Sequence, residues 1–417
     1  MNVGHNLHMN LGKLYNMQPL LFFQKILRVV AAWFGLKRGK VAMSIEKDEI
    51  DDEEVRLKAY RWCRDSLHSS WASIDEDDII VKRLSGGLTN YLYLCYLPSD
   101  VEIKPVEPRC VLLRVYGHVA KTSKEFVVHN SVVFAILSEK GLGPKLYGIY
   151  HDGRIEEYIP TKSLRRMDLQ SPKVSQLIAQ KLAQFHGLDM PLCKEPRWLY
   201  HIINGWVHEI QNNFAENLQK CPEVMKLMSM NLEEELDCMM KILSQIESPV
   251  VFCHNDLQEG NILYIEENPD KTKQMTVIDW EYCSYNYRGF DFGNHFLEWC
   301  YDYADNPDPP YYSFHPEDYP SRKRQYEFFR EYLAVMGQTA ITDEDLHNMY
   351  VEANTFALAS HFLWGVWSLV QSQTCAIKFG FMEYAVCRFE GYFKMKEQLL
   401  YLGSQDEISS DYSVELS

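Results

Sequence analysis

No two of the 11 cysteines stand at C-x-x-C spacing, and Cys95, Cys110 and Cys253 lie inside apolar runs. This argues against a structural zinc site and for reduced, buried thiols, as in a cytoplasmic protein. No run of 18 or more apolar residues occurs, so no transmembrane helix is expected. No internal repeat or low-complexity segment interrupts the 417 residues. Basic charge is in short supply: 42 Lys and Arg stand against 58 Asp and Glu, a net charge of −16. That balance disfavours nucleic acid as a partner and favours a cationic substrate. What remains is an ordinary globular composition, 46% hydrophobic and 24% charged but rich in aromatics at 13%, long enough for two lobes or domains.

Residues 1–45 depart from this acidity, with six basic residues (Lys13, Lys25, Arg28, Lys37, Arg38, Lys40) and no acid around PLLFFQKILRVVAAWFGL. As a helix this is a basic amphipathic element and a candidate for weak contact with an anionic membrane. A helix packed on the body and a mobile leader are the two other readings. A cleaved signal peptide fits poorly, because Gln24-Lys25 interrupts the apolar run early.

The chemistry concentrates in residues 250–299. Two apolar runs, VVFC before His254 and MTVI before Asp279, read as buried strands that each deliver a carboxylate at the end. Between them HNDLQEGN has the spacing H-x-D-L-x-x-x-N, which resembles the catalytic loop of kinases with the protein-kinase-like fold. Phosphoryl transfer from ATP to a hydroxyl needs a carboxylate to orient and deprotonate the acceptor, and Asp256 is the candidate. It also needs hard oxygen ligands for Mg²⁺, which Asn261 and Asp279 can supply from opposite sides of a hairpin. A turn with local caps would account for one Asn or Asp, but not for this ordered set followed by a strand-borne Asp.

Asp291-Phe292-Gly293 spells the metal-binding DFG of protein kinases, yet it follows the turn-rich YNYRG rather than an apolar run. We therefore read Asp291 as structural, a cap for a helix beginning at NHFLEW. Three features argue for a small acceptor rather than a protein: Gln258 replaces the catalytic-loop Lys, Trp280-Glu281 replaces Phe-Gly, and no APE follows. HNDLQEGNIL together with IDWEYCSYNYRGFDFGNHFLEW resembles the choline/ethanolamine kinase family, and the resemblance extends over roughly residues 80–400.

The order of elements fits that resemblance. IIVKRLSGGLTNYLYLCYL reads as strand, glycine turn and strand, and RCVLLRVYG as a third strand. Backbone N–H groups of the turn Ser85-Gly86-Gly87-Leu88-Thr89-Asn90, with Tyr91 beyond it, are candidates for approaching phosphates. The resemblance assigns Arg114 to the α/β-phosphates and the backbone of Glu157-Tyr158-Ile159 to the adenine edge. It carries nucleotide contacts on to Ser163 and Gln258. Members of the family carry a Glu early in the next helix to pair with this Arg; here Asn130 stands near that place, leaving Glu125 as the nearest substitute. The segments from Val174 to Ile246 are helix-periodic, and His186, before Gly187, reads as a C-terminal cap.

A quaternary ammonium has no N–H to donate, so aromatic faces and a diffuse negative field must hold it. Trp364 and Trp367 on one helix face, Phe379 and Tyr384 beyond them, and Glu298 with Tyr303 supply such parts. Spacing alone favours a core role for these aromatics, whereas the resemblance assigns them to a choline pocket. The expected architecture is α+β: a protein-kinase-like two-lobed fold with a leader (1–45), a β-rich nucleotide lobe (46–158), a mainly helical catalytic and choline-binding lobe (159–403) and a mobile tail (404–417). The resemblance implies a homodimer that phosphorylates choline with ATP and Mg²⁺, and ethanolamine more weakly. An ethanolamine-preferring or other small-molecule kinase, and a silent nucleotide-binding partner, are the rivals.

Overall fold

The structure, a computed structural model, describes residues 9–10, 52–84, 90–116, 124–161, 163–303, 308–375 and 377–405. The apolar part of the leader, the tail beyond 405 and the turn residues Ser85 to Thr89 lie outside the described residues. Two compact units divide the chain at Pro160.

The first unit is built on a six-stranded antiparallel sheet in the order β1-β5-β6-β4-β3-β2. Its strands are β1 (Met9–Asn10), β2 (Ile80–Leu84), β3 (Asn90–Tyr96), β4 (Cys110–Tyr116), β5 (Leu146–Tyr150) and β6 (Gly153–Glu157). Alternation sorts the central strand β4: Val111, Leu113 and Val115 join a core with Trp62, Tyr93 and Ile155, while Arg114 faces the other way. Helix α1 (Asp52–Ser66) closes that core, with Trp62 stacked on Tyr150 at 4.0 Å between ring centroids. Helix α2 (Lys124–Glu139) lies between β4 and β5 in sequence.

Arg114 has a partner that the sequence did not suggest, on the neighbouring strand β6. Its Nη2 donates to Glu156 Oε1 at 3.2 Å, and Arg154 holds the other oxygen of the same carboxylate. The reason is register: Arg114 lies opposite Arg154, and Glu156 is two residues further along β6 on the same face.

The second unit is mainly helical. Its longer helices are α3 (Pro172–His186), α4 (Trp198–Glu209), α5 (Leu232–Leu243), α6 (Arg288–Glu298), α7 (Arg322–Val335), α8 (Asp343–Thr374) and α9 (Phe381–Gln405). Short hairpins carry the motif residues. Strand β7 (Val250–Cys253) pairs with β10 (Ser284–Tyr287), so SYNY, read as a turn from sequence, is a strand. Strand β8 (Ile262–Tyr264) pairs with β9 (Met275–Val277), and β11 (Tyr301–Asp302) with β12 (Ser313–Phe314).

Helix α6 begins at Arg288, six residues before the start expected at Asn294, because β10 delivers the chain directly into it. It packs close to α8 through two glycines one turn apart. A Cβ at Gly293 would lie 2.5 Å from the Ala357 nitrogen and 2.7 Å from the Ala353 oxygen; one at Gly289 would lie 2.6 Å from the Phe356 ring. Any side chain there would push the helices apart. No helix among the described residues is long and apolar enough to cross a membrane.

Candidate active site

The chain leaves β7 through His254, Asn255 and Asp256. Asn255 has φ 66°, the left-handed region that Asn tolerates better than most residues. Its amide donates to the Tyr282 carbonyl at 2.9 Å and to Ser284 Oγ at 2.9 Å, and its Oδ1 accepts from Asn286 at 2.8 Å. The bend is therefore fastened on every side. His254 accepts from the Asp256 N–H at 3.2 Å and donates through Nε2 to the Ile278 carbonyl at 3.0 Å, which sets the neutral tautomer. Burial keeps this imidazole neutral by pulling its pKa down.

Asp256 and Asn261 meet across the loop. Asn261 Nδ2 donates to the Asp256 carbonyl at 2.8 Å and to its carboxylate Oδ2 at 3.0 Å. Burial pushes the Asp256 carboxyl well up, and the like charges of Glu298, Asp279 and Glu281 push it further. Asn261 sits at the start of hairpin β8–β9 and Asp279 just past its end; the Ile278 N–H donates to the Asn261 carbonyl at 2.9 Å. Asp279 has φ 64°, a conformation costing a non-glycine residue on the order of 1 kcal/mol, here held by the hairpin on one side and by Trp280 on the other. Trp280 is buried against His254 and Phe185. Gln258 folds back on the loop and accepts from the Gly260 N–H at 2.7 Å.

Asp291 serves this loop from behind. Its Oδ2 accepts from the His254 N–H at 2.8 Å and its Oδ1 from the Asn255 N–H at 2.7 Å. It is not the helix cap expected from sequence, because the helix starts before it and its oxygens point out of the helix. His186 likewise does not cap α3: its Nε2 is 3.0 Å from Asp291 and its Nδ1 3.0 Å from the Tyr332 hydroxyl. Gly187 has φ −77°, so no left-handed terminus forms there. Burial alone would raise the Asp291 carboxyl, but the His186 hydrogen bond, with His186 and His254 nearby, holds it below the usual range. One turn on, His295 bonds the Leu257 carbonyl at 3.1 Å, and burial lowers its pKa to about 4. Cys253 completes a trio with His186 and Asp291 at metal-like separations, but burial pushes its thiol well up, and the other two bond each other. The trio is a packed hydrogen-bonding network.

The end of α6 reaches the acceptor candidates. Glu298 accepts from the Tyr303 hydroxyl at 2.9 Å, and the Tyr303 and Tyr384 hydroxyls lie 2.8 Å apart. Phe379 packs on Tyr384 at 5.4 Å and on Phe381 at 5.0 Å; Phe381 continues to Trp367 at 5.9 Å, and Trp367 to Trp364 at 5.5 Å. Trp364 is buried and donates its indole N–H to Asn294 Oδ1 at 2.7 Å; Trp367 is half-buried and donates to the Tyr282 hydroxyl at 3.1 Å. These aromatics form one wall, and Trp364 also belongs to the core.

Sequence reasoning missed Tyr282, Asn294, Glu156 and Arg388. Arg388 was detectable: it follows Tyr384 by four residues, one turn of the same helix. Ser163 lies in the second unit, bridged to Leu263. In the first unit, the Glu157 N–H donates to the Lys145 carbonyl at 2.8 Å, and Tyr158 and Ile159 follow half-buried. Asn90 and Tyr91 open β3.

The family model for choline/ethanolamine kinase matches residues 81–393. A choline/ethanolamine kinase of Homo sapiens is 44% identical over 351 residues, covering 83% of this chain and 87% of that protein. Choline kinase alpha of Mus musculus is 42% identical, covering 84% of this chain and 83% of that protein. The crystal structure of a choline kinase from Cryptosporidium parvum superposes with a TM-score of 0.70 at 28% identity, covering 85% of this chain and 97% of that one. The chain belongs to the choline/ethanolamine kinase family.

Proposed function

We propose that this protein transfers the γ-phosphoryl group of ATP to the hydroxyl of choline, forming phosphocholine and ADP, with ethanolamine as a weaker acceptor. The observation that carries the reading is that Asp256 and Asn261 meet across the loop, with Asp279 just past the hairpin that Asn261 opens, while helix α6 binds this loop through Asp291 and His295 and ends at Glu298, bonded to Tyr303 of the aromatic wall. The relatives named for choline and ethanolamine phosphorylation add support.

In this reading Asp256 accepts the proton of the choline hydroxyl as the phosphoryl group is transferred. A base raised by burial and like charges is a better proton acceptor, provided the pH keeps it ionised. Asn261 keeps its carboxylate oriented. Glu298, Tyr303, Trp364, Trp367, Phe379 and Tyr384 hold the trimethylammonium end by ring faces and a carboxylate. In the first unit, Arg114, anchored on Glu156, is assigned to the nucleotide phosphates, as are the residues from Ser85 to Tyr91. Glu157, Tyr158, Ile159, Ser163 and Gln258 are assigned to further nucleotide contacts.

The residues present fit Mg²⁺. The Asn261 amide nitrogen is committed to Asp256, which leaves Oδ1 as its ligand atom. The Asp279 carboxylate accepts no hydrogen bond among the described residues, and an all-oxygen pair suits a hard cation. When bound, the ion neutralises phosphate charge. The proposal extends to a cytoplasmic homodimer, on the family resemblance. Initial rates of purified protein with choline, ethanolamine and a panel of other alcohols test the reading; no ATP-dependent phosphocholine would reject it.

A further inference from the structure

We infer that Arg388 is a specificity-determining positioning residue: through a closed cycle of hydrogen bonds it fixes Glu298, Tyr303 and Tyr384 so that they offer only lone pairs and ring faces to the acceptor's cationic end. The inference rests on the kinase reading above and deepens it.

Arg388 is wholly buried on α9. Its Nε donates to the Tyr384 hydroxyl oxygen at 2.8 Å and its Nη2 to Glu298 Oε1 at 2.5 Å. A phenol has one proton to give. Tyr303 gives its proton to Glu298 Oε2, so the 2.8 Å contact between the two phenolic oxygens takes the proton of Tyr384. The cycle therefore runs from Arg388 to Tyr384, from Tyr384 to Tyr303 and from Tyr303 to Glu298, and closes on Arg388 again. The guanidinium stacks 3.8 Å above the Tyr301 ring, which fixes its plane.

Two consequences follow for recognition. First, both phenolic protons are consumed, so neither hydroxyl can donate to a bound molecule. Burial, with Glu298 next, raises the Tyr303 phenol well above its usual range, so that proton stays in place. An acceptor end that itself needs a donor, such as a carboxylate or a neutral carbonyl, finds none on either phenol, whereas a cation finds lone pairs and ring faces there. Second, Arg388 pairs with Glu298, so the field of the buried carboxylate is not concentrated and uncompensated. A diffuse trimethylammonium loses little from that dilution because ring faces supply most of its binding. A compact primary ammonium, which gains more from a bare carboxylate, loses more. The first consequence selects a cation over an anionic or neutral end, and the second favours choline over ethanolamine.

The test measures kcat and KM for choline and ethanolamine in wild type, Arg388→Lys and Tyr384→Phe, with thermal unfolding of each. Lysine keeps the positive charge but lacks the planar fork that serves Glu298 and Tyr384 together. Phenylalanine keeps the ring face and cuts the cycle at one bond. Both variants are expected to raise the choline KM on the order of tenfold, with kcat changed less than about threefold, and to lower the choline-to-ethanolamine ratio of kcat/KM. Should Arg388→Lys not fold, Tyr384→Phe decides alone. A folded variant with unchanged KM and unchanged ratio, or one that loses kcat alone, overturns the inference. A wild-type protein inactive on choline counts instead against the kinase reading.

Discussion

The loop around Asp256 and the wall around Trp364 are held by different means. In the loop, short polar groups are bonded to backbone: Asp291 takes two N–H groups, His295 a carbonyl, and Asn255 and Asn261 a carbonyl each. In the wall, large side chains bear on one another, and the polar bonds run between side chains. A backbone-fastened loop fixes a reacting atom to within fractions of an ångström, whereas a wall of rings supplies area and field with more tolerance. Lesions in the first should appear in kcat, and lesions in the second in KM.

The largest expected effect is at the base. Asp256→Ala should lower kcat at least about 10²-fold with ATP binding little changed, read by steady-state kinetics and nucleotide titration. Near-normal turnover would remove Asp256 from the chemistry. Trp364→Ala comes next. A buried cation–π contact is worth about 2 kcal/mol, so the choline KM should rise on the order of 30-fold, with ethanolamine affected less. The variant also removes one of the two donors to the Asn294 oxygen, leaving Ser360, so unfolding must be followed alongside. A loss of stability with an unchanged substrate ratio would make Trp364 core only.

The two acids that compete for the metal role separate next. Asp279→Asn should raise the Mg²⁺ requirement about tenfold or more, since a charged ligand is lost. Asp291→Asn should instead cost about 1–3 kcal/mol of stability, because one of two acceptor oxygens no longer serves the loop. The sign with pH follows from the depressed pKa of Asp291. Its stabilisation is complete above the unfolded carboxylate value and disappears as pH falls through the lower folded value, so chemical denaturation should show the gap closing in acid. A folded Asp291→Asn protein with weakened Mg²⁺ dependence and full stability would reverse the assignment. The smallest effect links the two regions. With its carboxyl raised, Asp256 should give kcat/KM an acidic limb above the usual aspartate value of about 4. In Glu298→Gln, where one like charge is gone, the limb should move to lower pH. A limb that stays in place would mean that the two carboxylates do not interact.

The meeting of Asp256 and Asn261 was readable because the two lie within one contiguous stretch, at the spacing that phosphoryl transfer requires in the proposed reading. The structural role of Asp291 was also legible, but its means was not: the residues it holds are 36 and 37 positions away, and a strand at SYNY had to be known to see the helix start early. The Glu156 partner of Arg114 escaped for a similar reason, since strand register brings the two together. Arg388 and Tyr282 meet Glu298 and Trp367 from 90 and 85 positions away, and although Tyr384 lies one turn from Arg388, nothing local points to those distant partners.

Helix α6 touches both regions. Asp291 in its first turn and His295 in its last grip the loop, Glu298 meets the aromatic wall at its end, and the glycine contacts with α8 stop it from sliding. Asp291 and Glu298 are seven residues apart, about two turns and roughly 10 Å along the axis. In the proposed reading, a rigid rod between the loop that carries Asp256 and the Glu298 carboxylate would act as a gauge for the acceptor. It would set the separation at which a hydroxyl and an ammonium are held together, so that the length of an amino alcohol would be measured as well as its charge. Misplacing the hydroxyl by about 1 Å costs on the order of 10²-fold in rate.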